Sequence, residues 1–376
     1  MATAAIGPGF ITQTTVFTGK LFTSFGFTIL ISILLDIVVQ LNIWRVVGTT
    51  GKRAPVLANE VVKGLGTFLV ILVSFGGLIF NIGNIGGCSL ALQSLFGLPF
   101  TTGAIISGFL AVLLFLVKEF GKAMDGFTKF LGIVMIGLMV YVAFTAQPPL
   151  LAMVHHSFLP EKIDVISIVT LVGGTVGGYI SFAGAHRMLD VGLFGEKHLS
   201  EINAGAVTGI LLAGLMRILL FAAVVGVLAI GVVLPAENPA AAVFESAAGT
   251  IGLKMFGVIL WSAAITSVVA AAYTSVSFIT SISENTLRYQ RYIIIGFIVL
   301  STTIFAWLGN PTQLLVKAGT INGLVLPLAL GSMLLVVGRQ KKTGGYRHPK
   351  GLIYAGWAVV LIMGIMSVRS LFLLGL

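Results

Sequence analysis

Charge is what this chain has least of: only 9% of its 376 residues are Asp, Glu, Lys or Arg, against roughly 25% in soluble globular proteins. An ordinary soluble enzyme and a disordered chain are both excluded by that shortage, because each needs an abundantly charged surface. Cysteine is nearly missing as well. Cys88 stands alone, so no internal disulfide forms and a secreted disulfide scaffold is excluded. No long polar linker interrupts the chain, so residues 1–376 are expected to form one integral domain. Nothing resembles a cleavable signal peptide, and the first apolar span is expected to direct membrane insertion itself. Alternating segments of about ten residues are also lacking, which removes a transmembrane barrel.

Long apolar runs are what remains. Hydrophobic residues make up 57% of the chain and the mean hydropathy is +1.08. At ~20 residues per helical span, the sequence reads as an all-α polytopic membrane protein with eleven helices. They are predicted near Ala2–Thr18, Phe22–Val47, Gly64–Ile85, Thr101–Val117, Phe127–Ala146 and Val165–Ala185. The others are Ala204–Leu234, Gly252–Ser283, Tyr292–Leu308, Ala318–Val337 and Gly351–Phe372.

Basic residues divide the loops into two sets. Sixteen lie in alternate loops: Arg45, Lys52, Arg53, Lys63, Lys118, Lys122, Lys129, Arg187, Lys197, Arg288, Arg291, Arg339, Lys341, Lys342, Arg347 and Lys350. The opposite loops hold Lys20, Lys162, Lys254 and Lys317. The positive-inside rule predicts a multi-pass protein of the cell (inner) membrane with a cytoplasmic amino terminus. The formal charge of +10 is thereby read as a topology signal, and no nucleic acid or obligate protein partner is expected. The bilayer and a small-molecule substrate are the partners.

Two helices carry interruptions. Span one contains Gly7-Pro8-Gly9-Phe10, and span six contains Gly173-Gly174-Thr175-Val176-Gly177-Gly178-Tyr179. Proline removes a backbone donor and glycine weakens a helix, so both stretches are expected to unwind. Unwound backbone inside a bilayer must line a protein-enclosed or polar cavity. Spans one and six open two five-helix halves, approximately 1–146 and 165–337, with 351–372 as an extra helix. Breaks at matching places in two halves mark the binding site of a transporter built from inverted repeats.

Further stretches carry a resemblance. Ser24-Phe25-Gly26-Phe27, Val47-Gly48-Thr49-Thr50-Gly51-Lys52, Ile85 through Leu92 followed by Leu95-Phe96-Gly97-Leu98-Pro99, Gly174-Thr175-Val176 and Leu326-Pro327 occur in order along nearly the whole chain. The chain resembles the NRAMP group of divalent-metal transporters. That resemblance implies a LeuT-like fold: a 5+5 inverted repeat with an eleventh helix and discontinuous helices one and six. It also implies proton-coupled transport of a divalent metal. The family's metal-binding Asp and Asn at the first break fall on Gly7 and Phe10, and its Met-Pro-His on Gly177-Gly178-Tyr179. Its proton-moving Asp and Glu fall on Asn81 and Asn84.

A divalent cation needs strongly dipolar or anionic ligands to replace its water, and neither break carries a carboxylate. The substrate-binding candidates are therefore Gly7, Phe10, Gln13, Thr14, Asn81, Asn84, Thr175, Gly177, Gly178, Tyr179 and Asn322, with no metal ligands and no cofactor. Amides and hydroxyls suit a small polar organic solute, and helix ends at Gly9 or Gly178 would favour an acidic group. The expected function is alternating-access transport of such an acid or zwitterion. Divalent-metal transport is the first alternative, and a passive channel or a membrane sensor the second.

Coupling or gating candidates are Asp36 and Arg217, lone charges within spans two and seven, and His186 with Asp190 at the end of span six. The coupling ion is expected to be H⁺ or Na⁺. His155-His156 reads as a solvent-exposed loop pair, and Glu284 with Arg288 as a surface ion pair. The hydroxyl run Thr266-Ser267 to Thr280-Ser281 reads equally as path lining or as back-bonding to helix carbonyls. No His-Glu-x-x-His, paired-Asp or Ser/His constellation occurs within the spans, so an enzyme is not expected.

Overall fold

The computed structural model describes residues 7–117, 120–281, 284–338 and 346–374, without the side chains of 120–125, 127–129, 284–285 and 373–374. The start of the first predicted span, the side chains of Lys118, Lys122, Lys129, Arg339, Lys341 and Lys342, and the Glu284 end of the predicted ion pair lie outside the described residues.

Among the described residues every regular element is helical, which is how an apolar chain satisfies its own backbone in lipid. The first helices are α1 (Pro8–Leu21), α2 (Phe25–Thr50), α3 (Ala54–Val61), α4 (Leu65–Phe96), α5 (Phe100–Leu116) and α6 (Phe120–Thr145). Then come α7 (Leu150–Phe158), α8 (Val165–Val176), α9 (Ile180–Asp190), α10 (Leu199–Ala229) and α11 (Pro239–Thr280). The last are α12 (Glu284–Arg288), α13 (Gln290–Leu308), α14 (Pro311–Val337) and α15 (Lys350–Leu374). Among the described residues, eight stretches are long and apolar enough to cross a membrane, or nine when Phe130–Thr145 and α7, bent by 107°, count as one. Pro8–Thr50 is one of these stretches and holds two predicted spans. With the shorter α5, each of the eleven predicted spans falls on a helix among the described residues.

Local chemistry moves several boundaries. Asn238-Pro239 and Asn310-Pro311 start α11 and α14 well before the predicted positions. Each Asn caps its helix, accepting from Ala241 N at 3.3 Å and Gln313 N at 3.1 Å, while Pro occupies the first turn. Alpha-11 is not one straight rod, because Ala248 and Gly249 leave helical geometry inside it. At the other end of the scale, Gly97 (φ 68°) closes α4 in the left-handed conformation, where a side chain would be strained.

Cross-links gather the connections into three groups. Lys20 pairs with Asp164 at 3.0 Å, the Thr23 hydroxyl meets His156 at 2.7 Å, and Glu161 N donates to Ser24 Oγ. The 1–2 and 5–6 connections therefore share a side. Asn238 donates to Gln93 Oε1, Lys254 to the Ser94 and Leu95 carbonyls, and Thr312 to the Glu237 carbonyl, which joins the 3–4, 7–8 and 9–10 connections. On the Arg/Lys-rich side, Arg53 pairs with Asp190 at 2.9 Å, Gly195 N donates to Gly48 O, and Arg45 donates to Tyr346. Each of these three groups joins connections that the basic residues predict to lie on a common side.

Burial places the core. In the most apolar stretch of Val165–Asp190, 83% of residues are buried, against 22% along α15. The predicted sixth span lies at the centre and the eleventh at the rim.

Candidate functional site

The sixth span is interrupted, but not where all its glycines lie. Alpha-8 continues through Gly173 and Gly174 to Val176, and only Gly177, Gly178 and Tyr179 separate it from α9. Gly173 serves close packing instead: a Cβ there would lie 2.0 Å from Gly319 O and 2.3 Å from Gly323 N. The expectation that Gly173-Gly174 unwinds is corrected by this approach of α8 to α14. In the first span, Gly7 is the extended cap (φ −81°, ψ 174°), Pro8 opens the first turn of α1, and Gly9 and Phe10 are already helical. Proline fits the first turn of this helix, because its missing N–H falls where no intrahelical partner exists; the predicted part of the span before Gly7 lies outside the described residues.

Gln13 is fully buried and threads between α8 and α14. Its Nε2 donates to Leu315 O at 3.0 Å, while Oε1 has no partner. A Cβ on Gly174 would lie 2.3 Å from that Oε1, and one on Gly319 2.4 Å from Nε2. Asn322 Nδ2 donates to Gly76 O at 3.1 Å and Ala318 O at 3.0 Å, leaving Oδ1 unpaired; its own carbonyl accepts from Gly178 N. Tyr179 packs against Phe80 with ring centroids 5.9 Å apart. Ser275 Oγ, buried nearby against Gly77, also has no partner.

Other candidates turn elsewhere. Thr14 donates back to Phe10 O at 2.7 Å within α1, so its hydroxyl is spent on its own helix. Asn81 donates to Ser301 Oγ of α13 at 3.2 Å with Oδ1 unpaired, and Asn84 is buried with Nδ2 unpaired. The amides expected to form a helix-end anion site at Gly178 are engaged: Gly178 N donates to Asn322 O, and Ile180 and Ser181 N donate to Gly177 O. Thr266, Ser267 and Ser277 all bond back to helix carbonyls. His155 is exposed but His156 is not; it is half-buried against Thr23 and Glu161.

His186 lies apart from the break. Its Nε2 accepts from Ala54 N at 3.2 Å and its ring stacks on Phe278 at 4.3 Å. Beside it the Arg53–Asp190 pair ties α3 to α9. These groups join the Arg/Lys-rich ends of the second and sixth spans.

Four helices bring the remaining charges together. Arg217 of α10 lies with its guanidinium carbon 4.6 Å from the ring centre of Phe10 of α1, and Nη1 donates to Thr175 Oγ1 of α8 at 3.2 Å. Asp36 of α2 feels the Arg217 charge and adjoins the Thr175 hydroxyl, yet no direct ion pair joins the two. Asp36 Oδ1 and Arg217 Nε and Nη2 have no partner. Among the described residues, Asp36 and Arg217 are the only buried Asp, Glu, Lys or Arg side chains. The sequence marked both as lone charges within spans; that Thr175 adjoins both, and that Phe10 is a platform for the cation, required the packing. Among the described residues, no three His, Cys, Asp or Glu side chains gather as a metal-ligand group.

Residues 1–373 match the Nramp family, described as natural resistance-associated macrophage protein-like. An uncharacterized membrane protein of Bacillus subtilis (strain 168), YcsG, is 53% identical over 371 residues, covering 99% of this chain and 92% of its own. A mutant of the Eremococcus coleocola manganese transporter superposes with a TM-score of 0.70 at 17% identity, covering 98% of this chain and 84% of that one. Mhp1, a nucleobase-cation-symport-1 family transporter solved with bromovinylhydantoin bound, gives 0.56 at 16% identity, covering 98% and 90%. The architecture is therefore the LeuT-like one, and the family that matches is one of transporters, not enzymes.

Proposed function

The chain belongs to the natural resistance-associated macrophage protein-like family, and from that premise we propose that this transporter carries a small polar organic solute, an acid or a zwitterion, by alternating access. The carrying observation is the chemistry at the two breaks. Gly7, Phe10, Gly177, Gly178 and Tyr179 supply no carboxylate, imidazole or thioether, while Gln13 Oε1 and Asn322 Oδ1 point unpaired into the interior. Unpaired amide oxygens match the donors of an organic molecule. A bare divalent cation there would lose its water without anionic replacement, at a cost of several kcal/mol. Mhp1 illustrates that this architecture accommodates an organic ligand.

Asp36 and Arg217 are the coupling candidates, with H⁺ or Na⁺ as the driving ion. The Arg/Lys-rich side is placed in the cytoplasm. Divalent-metal transport is the second reading, favoured by the family match and by the manganese transporter among the structural neighbours; hydrated Mg²⁺ held through its waters is its most compatible form.

A thermal-shift and calorimetric screen of the purified protein against organic acids, amino acids, nucleobases and metals tests the choice. Saturable binding of an organic solute, weakened about tenfold or more in Gln13→Ala or Tyr179→Ala, is expected from the loss of a hydrogen bond or an aromatic wall. Micromolar Mn²⁺ binding with no organic ligand would reverse the ranking.

A further inference from the structure

Arg217 is an unusual group to find in the interior of a membrane protein. Only 3% of it is exposed, and two of its three nitrogens lack partners. Nη1 is held by Thr175, two residues before the unwound stretch, and the plane rests on Phe10 at the start of α1. The guanidinium is thus fixed at the junction of both interrupted spans, with Nε and Nη2 still to be satisfied. A planar fork of that kind pairs a carboxylate with two parallel hydrogen bonds. An unpaired buried charge is costly unless another group neutralises it, and the one buried carboxylate among the described residues, Asp36, stands beside it without touching it.

We infer that Arg217 anchors the carboxylate of the transported solute, and that Asp36 takes up one proton as that carboxylate binds, making transport a one-to-one anion and proton symport. The inference rests on the organic-solute reading above and names its charge class and coupling ion. In the empty carrier, Asp36 as a carboxylate and Arg217 as a guanidinium balance each other across Thr175. When a solute carboxylate arrives, three charges share the cluster, two negative and one positive. Protonation of Asp36 restores neutrality: one O–H bond forms on Asp36, the proton comes from the loading side, and no other covalent bond changes. Release on the far side reverses both events, so anion and proton move together and the cluster is neutral whether loaded or empty. Linkage makes the relation reciprocal, because whatever proton binding does for the anion, the anion does for the proton.

Among the described residues no other charged group competes for this role. From α8 Asp36 meets the neutral Thr175, and from α10 it meets Arg217. The titratable groups that other neighbours bring to α2 gather at its ends. Lys20, His156, Glu161 and Asp164 gather at the Ser24 end; at the other end His348 meets Asn42, and His186 and Asp190 meet the Arg53–Ala54 segment that follows α2, whose own Arg45 lies at that end too.

The test uses the full chain in detergent and a panel of glycolate and lactate with their neutral amides, glycolamide and lactamide. Calorimetry in buffers of different ionisation enthalpy reports protons taken up per ligand. Carboxylates are expected to bind with uptake of one proton each, and the matching amides at least about 30-fold more weakly. Asp36→Asn is expected to keep carboxylate binding and lose the proton uptake. Arg217→Gln alone leaves a buried carboxylate and endangers folding, so the double variant Asp36→Asn/Arg217→Gln, in which both charges are removed together, serves as the binding test; its carboxylate affinity is expected to fall by at least about 30-fold. Equal binding of acids and amides, unchanged affinity in the double variant, undiminished proton uptake in Asp36→Asn, or no binding by any carboxylate would each overturn the inference. If neutral solutes bind, the organic-solute reading survives that failure; if only Mn²⁺ binds, both fall.

Discussion

Along its contact with α14, helix Val165–Val176 has no space to spare: Gly173 faces the Gly319 carbonyl, and the hydroxyls of Thr170 and Thr320 share a bond of 2.7 Å. On its other face, Thr175 meets Arg217 and Asp36, where three polar atoms of the two charged groups lack partners. The first face is held by backbone contact that tolerates no added atom, and it acts as a joint. The second keeps hydrogen-bonding capacity in reserve. Close packing resists change because a methyl group has nowhere to go, whereas reserved donors cost stability unless a ligand satisfies them. A binding site is expected on the second kind of surface and not on the first.

The sharpest way to break the comparison is to spoil each face in turn. Arg217→Gln alone is expected to cost about 3–5 kcal/mol by stranding the Asp36 carboxylate, with most of that recovered by adding Asp36→Asn; thermal melts of the purified variants measure it. An additive double variant would mean that the two charges do not sense one another. Gly173→Ala is expected to cost about 3 kcal/mol, because the new methyl meets the backbone of α14 and not a movable side chain. A melting temperature within a degree or two of wild type would show that this joint is looser than its geometry.

A smaller effect sharpens the contrast by testing a buried group far from the site. His348, before α15, meets Asn42 Oδ1 at 3.1 Å and stacks edge-on with Tyr346. Burial first, and then the Arg45 charge, hold its pKa down from 6.5 to about 4. The unfolded chain takes up this proton before the folded one does, so the contribution is present above about pH 6.5 and is lost as pH falls toward about 4. Melts across that window are expected to show a decline that His348→Gln flattens.

Much of the architecture was legible from the residues. Long apolar runs with sparse charge produce helices, because lipid offers the backbone no other partner, and the basic loops foretold which connections share a side. Asn238-Pro239 and Asn310-Pro311 were readable helix starts that the hydropathy boundaries overlooked. The roles of the glycines were less accessible. Gly173-Gly174 and Gly177-Gly178 look alike as letters, yet the first pair packs and the second unwinds. Glycine declares that a Cβ is missing; whether that permits a sharp turn or a close neighbour depends on what lies opposite. Thr14 and Asn81 show the same limit, since a polar side chain on a helix can face its own backbone or a neighbouring helix.

The sequence alone determined a helical membrane protein with two weakened spans and interruption sites free of carboxylates, because hydropathy, helix propensity and side-chain chemistry belong to residues one at a time. Tertiary structure alone decided that Phe10, Asp36, Thr175 and Arg217, far apart along the chain, share one cluster from four helices. Partnership between buried charges is a property of distance, and distance across a bundle is set only when the helices pack.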